Sequence, residues 1–144
     1  MTKTDNKTVA RRVLEEVFPA NDDVALREVI SDQFVNHEAP EGTPPGLGGI
    51  SMYMHLLDQA FSDQQWDIHD VIAEDDKVVI RCTHTGQHTG DFFGLPATGR
   101  HFAYKQMHIV RVVNGKGVEH WAVRDDAGLM RQLTQPSVAV PAHA

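Results

Sequence analysis

A chain of 144 residues is long enough for one hydrophobic core and too short for two. Its 20 acidic and 13 scattered basic residues leave a net charge of -7, which argues against nucleic acid or an anionic membrane surface as partner. The single cysteine, Cys82, excludes an internal disulfide, and the run Val78-Val79-Ile80-Arg81-Cys82 marks it as a small buried residue rather than a reactive thiol. No apolar signal core follows Met1, and no stretch approaches the roughly 18 apolar residues of a membrane span, so a cytoplasmic protein is expected.

Val9, Val13, Leu14, Val17 and Phe18 recur at helical spacing and predict an amphipathic helix over about 5 to 19, ending near Pro19. Asn21-Asp22-Asp23 offers the N-cap of a second, short helix that buries Val24, Leu26, Val29 and Ile30, and Phe34 to His37 follows in extended form. Three prolines and two glycines make residues 39 to 46 a loop. Ile50, Tyr53, Met54, Leu57 and Phe61 predict a third helix from Gly48 to about Asp63.

The period then changes. Four strands are expected, Trp66 to Glu74, Lys77 to about Thr89, Gly99 to Val113 and Lys116 to Arg124. Asp75-Asp76 and Asn114-Gly115 are hairpin turns, and the segment from Asp91 to Gly99 is a longer connection carrying Phe92 and Phe93. A short helix to Leu133 and a flexible tail over 134 to 144 close the chain. Helices first and antiparallel strands afterwards predict a single α+β domain, a cone of N-terminal helices on a strongly curved, mainly antiparallel sheet that encloses a pocket.

Along the third strand Tyr104, Gln106, His108 and Val110 share one face, and His101, Lys105, Met107 and Ile109 share the other; both are mixed, so the pattern leaves open which is inward. Trp121 and Asp125, four residues apart, share a face of the last strand. If that face lines a pocket, Asp125 is a desolvated carboxylate suited to proton transfer, with Trp121 as an apolar wall. The competing reading makes Asp125 or Asp126 the cap of the following helix. The nine histidines form no ligand pattern, and neither a phosphate loop nor a nucleophile motif occurs.

Asn36-His37, Pro44-Pro45-Gly46, the loop Gly86-Gln87-His88-Thr89-Gly90-Asp91-Phe92-Phe93-Gly94-Leu95-Pro96-Ala97-Thr98-Gly99, Gln106-Met107-His108, and His120-Trp121 with Asp125 and Gly128-Leu129-Met130-Arg131-Gln132-Leu133 together resemble the SnoaL-like polyketide cyclase family, nearly collinearly from about residue 9 to 133. The resemblance implies the nuclear-transport-factor-2-like cone, which also serves isomerases and epoxide hydrolases. It implies closure of the last ring of an aromatic polyketide ester by intramolecular aldol condensation, without metal or organic cofactor. By the same resemblance Asp125 matches the acid/base aspartate, and Asn36, Gln106 and His108 match polar groups around the substrate.

The expected mechanism makes Asp125 the base that removes a C–H proton between two carbonyls, with Asp125 or His108 returning a proton to the alkoxide. Asn36, His37, Gln106 and Tyr104 would contact substrate, and Trp121, Phe92 and Phe93 would hold its flat rings. The expected partners are a small apolar or aromatic molecule and a second copy of the chain, forming a homodimer. Another metal-free isomerase or hydrolase on the same cone, or a non-catalytic binding protein, are the alternatives that residues alone leave open.

Overall fold

The structure is a computed structural model, and it describes residues 5–135; the expected tail from 136 onward lies outside them. Helix α1 (Asn6–Arg12) is capped by Asp5, whose carboxylate accepts the Lys7 N–H. It runs into a π-helical turn (Val13–Val17) and a last turn, α2 (Phe18–Ala20). Pro19 explains the wider turn: its ring would collide with the carbonyl four residues back, and here the Phe18 N–H bonds five residues back, to Val13. Asn21 ends the segment in the left-handed conformation, at φ 52°.

Asp22 caps α3 (Asp23–Val29), accepting the N–H groups of Val24 and Ala25 at 3.0 and 3.1 Å. Strand β1 (Ile30–Asn36) follows at once. It was not anticipated as a strand of the sheet, because Ile30 fits the apolar spacing of the helix before it. Helix α4 (Gly46–Ala60) likewise passes directly into β2 (Phe61–Glu74), so residues 61 to 63 belong to the strand and not, as expected, to the helix. Phe61 is buried in either setting, which is why its apolar character did not separate the two.

Strands β3 (Lys77–His88), β4 (His101–Val113) and β5 (Lys116–Arg124) complete one sheet in the order β1-β5-β4-β3-β2. β1 pairs with β5 in parallel and the other pairs are antiparallel. The turn at Asn114-Gly115 has φ of 52° and 76°, the two positive values a type I′ hairpin needs. Two register breaks in β2, at Ser62/Gln65 and Ile68/Asp70, insert extra residues that bend the strand, and Asp63 takes φ 55° in the first. The helices cover the inner face of the sheet, where Val78, Ile80, Cys82, Phe102, Tyr104 and Val112 are buried. Helix α5 (Asp126–Thr134) packs at the end of β4, with Leu129 and Leu133 buried and the Gln132 amide bonded to the Ala103 backbone in both directions.

Candidate active site

A cavity of about 60 Å³ lies between the inner face of the sheet and the N-terminal helices. Its walls are chiefly apolar, from Leu14, Phe18, Phe34, Ile50, Leu57 and Trp66 among others. Strand alternation aims the polar groups into it. Of the two faces of β4, the one carrying Tyr104, Gln106 and His108 is inward, since these alternate as buried with exposed Lys105, Met107 and Ile109.

The facing strand carries the same parity across. Cross-strand partners share a face, and Val110, His108 and Gln106 pair with His120, Ala122 and Arg124. His120 and Arg124 therefore line the cavity, whereas Trp121 opposite Ile109 and Val123 opposite Met107 point outward. This corrects the expected pocket wall: Trp121 and Asp125 do share a face, but it is the outer one. Trp121 stacks on the His37 ring at 4.9 Å between centroids, and His37 Nε2 donates to Glu119 Oε2 at 2.7 Å, so His37 is also outside the cavity.

Asp125 is exposed and caps α5, with Oδ1 accepting the Gly128 N–H at 2.9 Å. A side chain at Gly128 would meet the Asp125 carboxylate at 2.2 Å, so the glycine is what lets the cap fold over the helix. The capping reading of Asp125 is the one the geometry realises, and among the described residues no carboxylate lines the cavity. Phe92 and Phe93 are not in its wall either. Phe92 packs on Phe61 at 4.8 Å, and Phe93, 57% exposed, packs edge-on against Phe92. Thr89 and Gly90 donate backbone N–H groups to Ala60, tying their loop to the far end of α4.

Asn36, Tyr104, Gln106 and His108 do converge, joined by residues that spacing alone did not single out. His120 is the main one. His108 Nε2 donates to Gln106 Oε1 at 2.7 Å, and His120 Nδ1 donates to Asn36 Oδ1 at 2.8 Å. Asn36 Oδ1 also accepts the Glu38 backbone N–H at 3.0 Å, which fixes the amide's orientation, and Gln106 Oε1 takes a long contact from Cys82 Sγ at 3.9 Å. His108 Nδ1 faces His120 Nε2 at 2.9 Å. With Asn36 Oδ1 taking the His120 Nδ1 proton, a neutral His120 presents the lone pair of Nε2 to His108.

Burial first, and the nearby charge of Arg124 second, hold His120 down to about 3. His108 is lowered well below the ordinary histidine range by burial, then by His120 and Arg124. A further buried histidine, His84, stacks on Trp66 at 3.9 Å, accepts from the Tyr104 hydroxyl and donates to Gln64; burial holds it down to about 3. Among the described residues no three metal-ligating side chains come together. The signal for His120 was available in the parity of β5 against β4, but only once the pairing register was known.

The family described as SnoaL-like polyketide cyclase matches residues 8–133. Over 133 residues the chain is 34% identical to aklanonic acid methyl ester cyclase DauD of Streptomyces sp. (strain C5), covering 89% of this chain and 81% of that protein. It is also 34% identical to aklanonic acid methyl ester cyclase DnrD of Streptomyces peucetius, over 89% and 90%. Among solved structures, IdmH from Streptomyces antibioticus superposes with a TM-score of 0.78 at 30% identity, over 90% of this chain and 98% of that one. TsrD from Streptomyces laurentii has a TM-score of 0.84 at 23% identity, covering 94% and 100%, which bears on the fold.

Proposed function

Because this chain belongs to the SnoaL-like polyketide cyclase family, we propose that it closes a ring on an aromatic polyketide by an intramolecular aldol step, with the His108–His120 pair as the base. The observation that carries this is the pair itself: two buried imidazoles whose ring nitrogens face each other 2.9 Å apart, in an apolar cavity whose described lining holds no carboxylate.

A proton between His108 Nδ1 and His120 Nε2 would complete a hydrogen-bonded chain from Gln106 to Asn36 in which every amide oxygen already accepts. Burial and Arg124 oppose a resident proton, so the pair stays neutral until an anion forms beside it. A C–H flanked by two carbonyls supplies that anion. Its proton passes to the imidazole pair as the carbon becomes an enolate, and the ion pair forms as a unit rather than as a lone buried cation. The enolate carbon then bonds to a second carbonyl carbon of the same molecule. The C=O pair of electrons moves to oxygen, and the alkoxide takes the proton back from the pair to become a hydroxyl. The product has the same atoms as the substrate. The apolar walls, including Trp66 stacked on His84, hold the flat ring system with its two reacting carbons close, which supplies much of the rate gain.

The test is incubation of the protein with aklanonic acid methyl ester, the compound for which the relatives are named, and with the corresponding free acid. A product of unchanged mass and altered retention supports the reading, and its loss in His108→Asn assigns it to the pair. Unchanged turnover in His108→Asn overturns the assignment.

The chain is read as one such domain, cytoplasmic and homodimeric. The buried free thiol of Cys82 supports a reducing compartment. The outer sheet face supports a partner. Ile72 and Val123 are 62% and 77% exposed there, beside exposed Met107 and Ile109 and half-buried Trp121.

A further inference from the structure

We propose that Arg124 is the docking point for a carboxylate on the ligand, so that this protein takes its polyketide as the free acid rather than as the methyl ester. The inference rests on the cavity being the substrate site and adds the charge state of what enters it. Arg124 ends β5 directly opposite Gln106 and lines the same cavity, with its guanidinium carbon 5.8 Å from the centroid of the Tyr53 ring on α4.

Acidic residues outnumber basic ones, and Arg11, Arg12, Arg81 and Arg111 each pair with a carboxylate; of the arginines that do not, Arg124 is the one that lines the cavity. Among the described residues Arg124 has neither an ion pair nor a side-chain hydrogen bond, although its guanidinium carries five N–H donors. Asp125 and Asp126 follow it in the chain, but Asp125 turns its carboxylate onto the Gly128 N–H and neither pairs with the guanidinium.

The charge is felt inside. Arg124 opposes protonation of His84, His108 and His120 and favours the ionised form of Tyr104, so its field reaches the polar groups of the cavity. That field is the complement of an anion. A planar guanidinium accepts a carboxylate through two parallel N–H bonds while its face stays on Tyr53, and such charge-assisted bonds are roughly twice as strong as neutral ones. A methyl ester offers a carbonyl oxygen of similar shape without the charge.

Calorimetric titration of the full chain with 2-naphthoate and with methyl 2-naphthoate at pH 7.5 tests this. Wild type should bind the acid about ten-fold or more tighter than the ester. Arg124→Gln should abolish that preference by weakening the acid alone, Arg124→Lys should retain part of it, and Arg131→Gln on exposed α5 should leave it intact. Raising salt from 50 to 500 mM should weaken the acid and spare the ester, which reads the same charge without any substitution. Equal binding of both probes to wild type, or an acid preference that survives Arg124→Gln, overturns the role of Arg124 and leaves the cavity as the ligand site. Binding of neither probe overturns the inference together with the cavity reading beneath it.

Discussion

At the residue scale, one position of strand parity separates a helix cap from the cavity wall. Asp125 donates its N–H to the Lys105 carbonyl on the outer register and turns its carboxylate onto Gly128, while His120 and Arg124 face inward. Asp125→Asn is therefore expected to keep both turnover and stability, because Asn is itself a good N-cap, whereas Asp125→Ala should lose about 1 kcal/mol in urea unfolding with turnover unchanged. His108→Asn should lower turnover by roughly two orders of magnitude or more with the fold retained. His120→Asn removes the proton's second resting place and should lower turnover too; parallel kinetics on the two single variants and the double would show losses that do not add if the imidazoles act as one base.

At the element scale, the sheet owes its curve to local devices, the register breaks of β2 and the abrupt passage from α4 into β2 at Phe61. The loop after β3 is fastened to that junction. A side chain at Gly90 would lie 2.0 Å from the Gln59 carbonyl oxygen, so Gly90→Ala forces the loop off Ala60. A loss of about 2 kcal/mol or more is expected in thermal or urea unfolding. Ligand affinity in the folded fraction should be unchanged, since this loop is outside the cavity wall. The helices, hairpin turns and β3 to β5 were legible from periodicity and turn residues. β1 was not, because a strand that pairs in parallel with the last strand of the chain carries no local mark of its partner.

For the whole molecule, the buried neutral histidines couple stability to pH. His84 and His120 are held down to about 3, whereas an unfolded chain protonates histidine near 6.5. Between those values the unfolded state binds more protons, so this contribution is fully present above about 6.5 and is lost as pH falls toward 3. Each histidine can contribute up to about 1.4 kcal/mol per pH unit within the window. Urea midpoints should fall from pH 6.5 to 5, a range in which surface carboxylates stay largely ionised; a flat profile there would contradict neutral burial. The outer sheet face makes a second whole-molecule prediction. Sedimentation at micromolar concentration should give a dimer, and Val123→Glu should shift it to monomer without loss of secondary structure.

Composition, helical and strand periods, turn chemistry and the family motifs determined the α+β architecture and brought Asn36, Tyr104, Gln106 and His108 to one site, because each of these signals is local or repeats along the chain. The tertiary structure alone decided what faces them. Whether Trp121 and Asp125 or His120 and Arg124 look inward depends on the register of β5 against β4, and period-two alternation is silent about which of two faces is buried. The same silence hid the exterior stacking of His37 on Trp121 and the packing of Phe92 on Phe61 away from the cavity. A residue's chemistry is written in its type, but the surroundings that raise or lower its basicity are assembled from strands far apart in sequence, and only folding brings those together.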